Sequence, residues 1–150
     1  MKIAFGCDHA AFKIKDQVIE HLKKQGHETV DFGCGSAESC DYPDFGIPSA
    51  RAVSKGECAR GILICGTGIG MSMLANKIPG IRAAVCWNED VAKLTADHNN
   101  ANVLCLAARF MTAEQMGKCI DIWLNTVFGG EPRHQKRIDK IMSLEKDWKK

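Results

Sequence analysis

Apolar and polar positions along this chain alternate between two periods, and the switching predicts its elements. Short apolar runs rich in β-branched residues fall at residues 2–5, 28–32, 61–65, 81–85 and 103–106. Runs this short and this apolar suit strands covered on both faces in a parallel sheet. Between them the period lengthens to that of a helix. Residues 12–24 carry apolar side chains at 14, 18, 19 and 22, and residues 113–127 and 133–148 repeat the stripe. The alternation reads as βαβ units, which form an open parallel sheet with helices on both faces. A ligand then sits beyond the C-terminal ends of the strands. Residues 33–48, rich in Gly, Ser, Asp and Pro, are expected to form a loop within the domain.

One junction carries chemistry. In Ile62-Leu63-Ile64-Cys65-Gly66-Thr67-Gly68-Ile69-Gly70-Met71-Ser72 a strand runs into a loop of alternating glycines with a cysteine at its start. Glycines let the backbone approach a ligand closely, and a helix over residues 71–77 would aim free N–H groups at an anion. Helix N-termini favour the thiolate of a nearby cysteine, so Cys65 is a candidate base or nucleophile. A buried cysteine acting only as a small hydrophobe is the alternative.

The glycine loop departs from two known phosphate-binding patterns. Gly66 and Gly68 fit GxGxxG, but Met71 stands where the third glycine belongs, and the motif follows the third strand rather than the first. The Walker pattern GxxxxGK[ST] is absent. Phosphate of another kind remains, and Arg133 and Arg137, spaced i, i+4 on one helical face, offer forked donors for it. His98 and Asn99 open the run His98-Asn99-Asn100-Ala101-Asn102 before the last strand, where His98 has the chemistry to move a proton near neutrality. Asn100 and Asn102 read as turn residues. Asp8 and His9 end the first strand, with Asp8 doubling as a helix N-cap.

Composition narrows the class. The chain has 150 residues, 45% of them hydrophobic, enough for one domain over residues 1–150 that buries roughly 70% of its unfolded surface. The net charge of +2 points away from nucleic acid. Eight cysteines without a CxxC pair, and with no secretory signal expected, read as reduced thiols in a cytoplasmic protein rather than a disulfide frame or a zinc site. No apolar run approaches the roughly 18 residues of a membrane span. The expected fold class is α/β: a single-domain, Rossmann-like three-layer sandwich around a five-stranded parallel sheet.

Together the segments Gly6-Cys7-Asp8-His9-Ala10, Asp41-Tyr42-Pro43, Cys65 to Ser72, Ala75-Asn76-Lys77, His98 to Leu104, and Arg133-His134 with Arg137 resemble type B ribose-5-phosphate isomerase, in the same order and over nearly the whole chain. The family also holds galactose-6-phosphate and allose-phosphate isomerases. The resemblance implies a metal-independent, cofactor-free interconversion of D-ribose 5-phosphate and D-ribulose 5-phosphate through a cis-enediolate. It assigns Cys65 as the base, His98 to ring opening and Thr67 as an assistant. Gly66, Gly68, Ile69 and Gly70 would hold the enediolate oxygen, Asp8 and Asn99 the sugar hydroxyls, and His9, Arg109, Arg133 and Arg137 the phosphate, with Tyr42 beside the site. It further implies a homodimer, extending to a tetramer, with sites between subunits. Two departures stand out: Glu131-Pro132 between the glycine pair and Arg133, and Ala96-Asp97 where an arginine usually precedes the histidine motif. Six-carbon sugar phosphates, a non-catalytic phosphosugar sensor and a thiol redox protein are the alternatives.

Overall fold

The computed structural model describes residues 1–149, which fold around one five-stranded parallel sheet. In chain order the elements are β1 (Lys2–Cys7), α1 (Phe12–Lys24), β2 (Glu28–Asp31), α2 (Pro43–Ser54), β3 (Arg60–Cys65), α3 (Ile69–Ala75), β4 (Ala83–Val85), α4 (Glu89–Asp97), β5 (Val103–Ala107), α5 (Ala113–Asn125) and α6 (Pro132–Ser143). The strand order is β2-β1-β3-β5-β4. Crossovers between parallel strands are right-handed, so the direction of each step decides which face its helix covers. The steps β1 to β2 and β4 to β5 run one way, placing α1 and α4 on one face, where α5 packs against both. The steps β2 to β3 and β3 to β4 run the other way and place α2 and α3 together on the opposite face. The chain leaves β1 and β3 in opposite directions, which opens a crevice beyond their C-terminal ends.

Side chains on a strand alternate between faces. Ile62 and Ile64 of β3 therefore join Phe5, Leu22, Leu104, Leu106 and Trp123 in the core under α1, α4 and α5. Leu63 and Cys65 join Ala50, Val53, Met71 and Cys105 under α2 and α3. Each of the larger side chains contributes about 1.5–3 kcal/mol by leaving water. On the second face α2 comes close to the sheet where its residues are small: a Cβ on Gly6 of β1 would stand 2.7 Å from Ser49 Oγ, while Gly46 lets α2 close on Met71 and Leu74 of α3.

The expected loop over residues 33–48 is corrected in its second part, since α2 begins at Pro43. Proline at the first helical position has no N–H to lose and already holds the helical φ, so Tyr42-Pro43-Asp44 starts a helix despite its loop-like composition. Strand β4 is shorter than the run at 81–85 because the Arg82 amide donates to Asn102 Oδ1 at 2.8 Å instead of entering the ladder. Helix α3 starts at Ile69, earlier than expected, after Gly68 turns the chain at φ 74°, and it stops where the Asn76 side chain bonds both backbone groups of Ala83. After α6 the chain tightens into a 3-10 run, Leu144–Lys149, in which Glu145 accepts the Gly80 N–H at 2.8 Å. Among the described residues no helix is long and apolar enough to cross a membrane. Cys7, Cys86 and Cys105 are buried core residues. Burial pushes the Cys7 and Cys86 thiols up to about 12, aided by the neighbouring thiols of Cys34 and Cys119.

Candidate active site

Cys65 is the last residue of β3, and its thiol is buried at the mouth of the crevice, 5% exposed. Its Sγ accepts the Gly68 N–H at 3.2 Å. Gly68 can supply that amide because it adopts the left-handed conformation, φ 74°, pressed against the Leu106 backbone. Thr67 sits on the exposed shoulder of the loop with its Oγ1 accepting the Ile69 N–H at 3.3 Å. The loop thus sets a sulfur among backbone donors, an arrangement suited to negative charge on the thiol and on a ligand oxygen beside it.

Four further residues converge on this loop. Asp8 follows β1, its N–H bonded to Ile64 O at 3.2 Å, and its carboxylate caps the next turn by accepting the Ala10 N–H at 2.9 Å. That leaves the second carboxylate oxygen for another donor. His9 Nδ1 accepts the Cys40 N–H at 3.2 Å, which leaves Nε2 for another partner. The Tyr42 ring lies on Gly70, where a Cβ would stand 2.6 Å from Cζ. Arg109 lies across Gly66, whose Cβ would meet its Nε at 3.1 Å. Two backbone bonds carry Arg109 there: Ala108 N to Cys65 O at 2.9 Å and Arg109 N to Gly66 O at 3.1 Å.

The remaining sequence-predicted residues assemble elsewhere. His98 caps the C-terminal end of α4, and with Asn99, His134 and Arg137 it lines a groove of about 590 Å³ between α6 and the β4 edge. The turn behind His98 is held rigidly. Asn100, at φ 45°, offers its carbonyl to Arg82 Nε and Nη2 at 2.9 and 2.7 Å. The Ala101 carbonyl accepts from Arg60 Nη1 and Trp123 Nε1 at 3.1 and 3.2 Å. Asn102 bridges Arg82 and Gly80 through its amide. Both asparagines are the turn residues the sequence suggested. Arg133 points to solvent and pairs with Glu131 at 2.9 Å, so the departure at residue 131 partly occupies one expected phosphate ligand.

Within one chain the two groups lie at opposite ends of the strands. Cys65 pairs with Ala107 at the C-terminal end of β5, whereas the His98 turn enters β5 at Val103, opposite Gly61. Four strand steps, about 13 Å, separate those ends. His134 had no role in the sequence reading, yet its ring stacks on His98 with centroids 4.1 Å apart and planes 18° from parallel. The signal was a histidine in register with Ile138, four residues on, along the buried stripe of α6. Burial, then the neighbouring His98 and Arg133, holds its basicity below that of an ordinary histidine. Among the described residues no cluster of three or more His, Cys, Asp or Glu side chains has the geometry of a metal site.

Comparison with known proteins converges on one family. The family described as Ribose/Galactose Isomerase matches residues 3–141. Ribose-5-phosphate isomerase B of Escherichia coli (strain K12) is 44% identical over 144 residues, covering 96% of each chain. The solved structure of Clostridium thermocellum ribose-5-phosphate isomerase B superposes with a TM-score of 0.95 at 48% identity, covering 99% of both chains. Ribose-5-phosphate isomerase B from Mycoplasma genitalium, solved with bound ribulose-5-phosphate, superposes with a TM-score of 0.92 at 44% identity, covering 97% of this chain and 96% of that one.

Proposed function

The chain belongs to the ribose/galactose isomerase family, and from that membership we propose that it interconverts D-ribose 5-phosphate and D-ribulose 5-phosphate, as a cytoplasmic homodimer whose sites each draw on two chains. The furanose must open first, because the C2 hydrogen becomes acidic only beside a free C1 aldehyde. His98 moves the proton of the ring oxygen and its hydroxyl. Cys65, as thiolate, then takes the C2 proton; the C–H electron pair forms the C1–C2 double bond and the carbonyl pair moves onto O1. Returning the proton to C1 while O2 becomes the ketone completes the exchange, with Thr67 assisting proton transfer between the oxygens.

The observation that carries this reading is the Gly68 N–H on Cys65 Sγ at 3.2 Å inside a loop of glycines. Preorganised donors of this kind are worth about 2.7–4 kcal/mol each when aimed at a developing oxyanion. The amides of Gly66, Ile69 and Gly70 belong to the same loop and turn. Asp8 and Asn99 serve the sugar hydroxyls. His9, Arg109, Arg133 and Arg137 serve the phosphate, and Tyr42 walls the site. The separation of Cys65 from His98 on one chain supports a site completed by a second copy, with His98, Asn99, Arg133 and Arg137 given in trans. The ribulose-5-phosphate held by the Mycoplasma genitalium relative favours the pentose over allose or galactose 6-phosphate.

The test is formation of ribulose 5-phosphate from ribose 5-phosphate in the presence of a chelator, with allose 6-phosphate alongside and with Cys65→Ala as the comparison. Turnover of the pentose that collapses in the variant is the expected result. Turnover of the hexose alone would keep the mechanism and change the substrate, and silence on both would leave a phosphosugar sensor.

A further inference from the structure

We propose that His134 is a positioning residue for ring opening: its ring is the platform that fixes the His98 imidazole in the orientation from which it moves the ring-oxygen proton. The inference rests on the isomerase reading and extends it to a residue that reading does not use.

Three observations carry it. The rings of His98 and His134 are stacked at 4.1 Å and 18°. His134 is 7% exposed, and its Nε2 is fully buried with no hydrogen-bond partner among the described residues. Among the described residues the one carboxylate within 4 Å of that nitrogen is Glu131, at 3.8 Å, and its oxygen is taken by Arg133 Nε at 2.9 Å. A buried ring nitrogen left without a partner costs free energy that a phenyl or leucine side chain would avoid. With its buried edge unpartnered, the contact this ring makes is through its face, with His98.

The stack accounts for the flat ring. The His134 ring is held less basic than an ordinary imidazole by burial, then by His98 and Arg133 beside it, so the face it presents to His98 is a neutral one. A neutral aromatic face against a ring that gains and loses charge is favourable in both states, more so when the ring is cationic. His98 hangs from the last turn of α4 beside Asp97, whose Oδ2 lies 3.8 Å from its Nε2, and its outer side is open to the groove. His134 supplies the inner side. The turn that carries His98 is clamped through the Asn100 and Ala101 carbonyls, so the platform and the backbone together leave the imidazole one orientation.

The substrate itself provides a readout that separates positioning from structural support. Ribulose 5-phosphate is acyclic, because the hydroxyl that would close its five-membered ring is phosphorylated, so proton exchange at its C1 uses Cys65 without any ring chemistry. The experiment measures two rates on the full chain: steady-state conversion of ribose 5-phosphate, and deuterium wash-in at C1 of ribulose 5-phosphate in D₂O by NMR. In His134→Leu the first falls about tenfold in kcat with KM little changed, on the scale that misplacing a catalytic group costs. The second stays near native, and His134→Phe, which restores a flat ring, recovers most of the lost conversion. Equal loss of both rates, or loss of neither, overturns the proposal. A native chain that washes no deuterium into ribulose 5-phosphate overturns the isomerase reading itself, and the two failures are distinct.

Discussion

The Tyr42 ring occupies the space that a side chain on Gly70 would need, so closely that a Cβ there would stand 2.6 Å from Cζ and 2.8 Å from the hydroxyl. Gly70 lies in the first turn of α3, where alanine is favoured over glycine by up to about 1 kcal/mol. Gly70→Ala is therefore expected to leave the melting temperature within a few degrees of native while swinging Tyr42 off the loop. We expect kcat/KM to fall about tenfold, the scale of a displaced site wall. Unchanged kcat/KM would remove Tyr42 from the site.

Gly68 differs from Gly70 because its backbone is left-handed, φ 74°, and a Cβ would meet the Leu106 carbonyl oxygen at 3.1 Å. The conformation alone costs a non-glycine residue roughly 1–2 kcal/mol. Gly68→Ala is expected to lower the urea midpoint accordingly and to lose activity beyond that, since relaxing the turn moves the N–H away from Cys65. Gly26→Ala is the control: φ is 78°, but nothing lies within 4 Å of its Cβ. It should show the conformational cost and keep full activity.

Much of this site was legible in the chain, for a physical reason. The strand ends and glycine loop are local features, so Asp8, His9, Cys65 and Gly68 were placed by pattern alone. The helical i, i+4 spacing put Arg133 and Arg137 on one helix, α6. What pattern could not give was distance across the sheet. That the His98 turn opens at the opposite end of the strands from Cys65 follows from its place before β5 in a parallel sheet, whereas what packs against it there is a long-range choice with no local signature. The His98–His134 stack joins α4 to α6 across 36 positions and was hidden for the same reason. The first half of helix α2, up to Pro48, reads as loop because composition outweighs the start signal at Pro43.

The buried thiols predict an alkaline weakness. Cys7 and Cys86 are raised from an ordinary 9.0 to about 12, chiefly by burial. A raised folded value means the unfolded chain releases these protons first, so their contribution is complete below pH 9 and is lost as pH rises from 9 toward 12. Each thiol should remove about 1.4 kcal/mol of unfolding free energy per pH unit within that window. Urea unfolding at pH 8 and pH 10 checks this. The double variant Cys7→Ala, Cys86→Ala should show a shallower fall, and an identical fall in both proteins would assign the weakness to other groups.

The separation of Cys65 from His98 makes the strongest prediction. Cys65→Ala removes the proposed base and His98→Asn the group that opens the ring, so each variant alone should lose about 10²–10⁴ in kcat, the usual worth of a positioned acid or base. On one chain Cys65 stands at the C-terminal end of β3 and the His98 turn at the opposite end of the strands, with about 13 Å of β5 between the two levels. If a site takes Cys65 from one subunit and His98 from its two-fold partner, a heterodimer of the two variants holds one site with both lesions and one with neither. Random exchange of equal amounts makes half the dimers heterodimers, each with one intact site of two, so the mixture should regain about a quarter of native activity. Were the site contained in one chain, every site in the mixture would still carry a lesion and no activity would return. Co-refolding the two inactive variants and assaying ribose 5-phosphate conversion therefore decides whether the groove beside His98 and the loop around Cys65 belong to one active site.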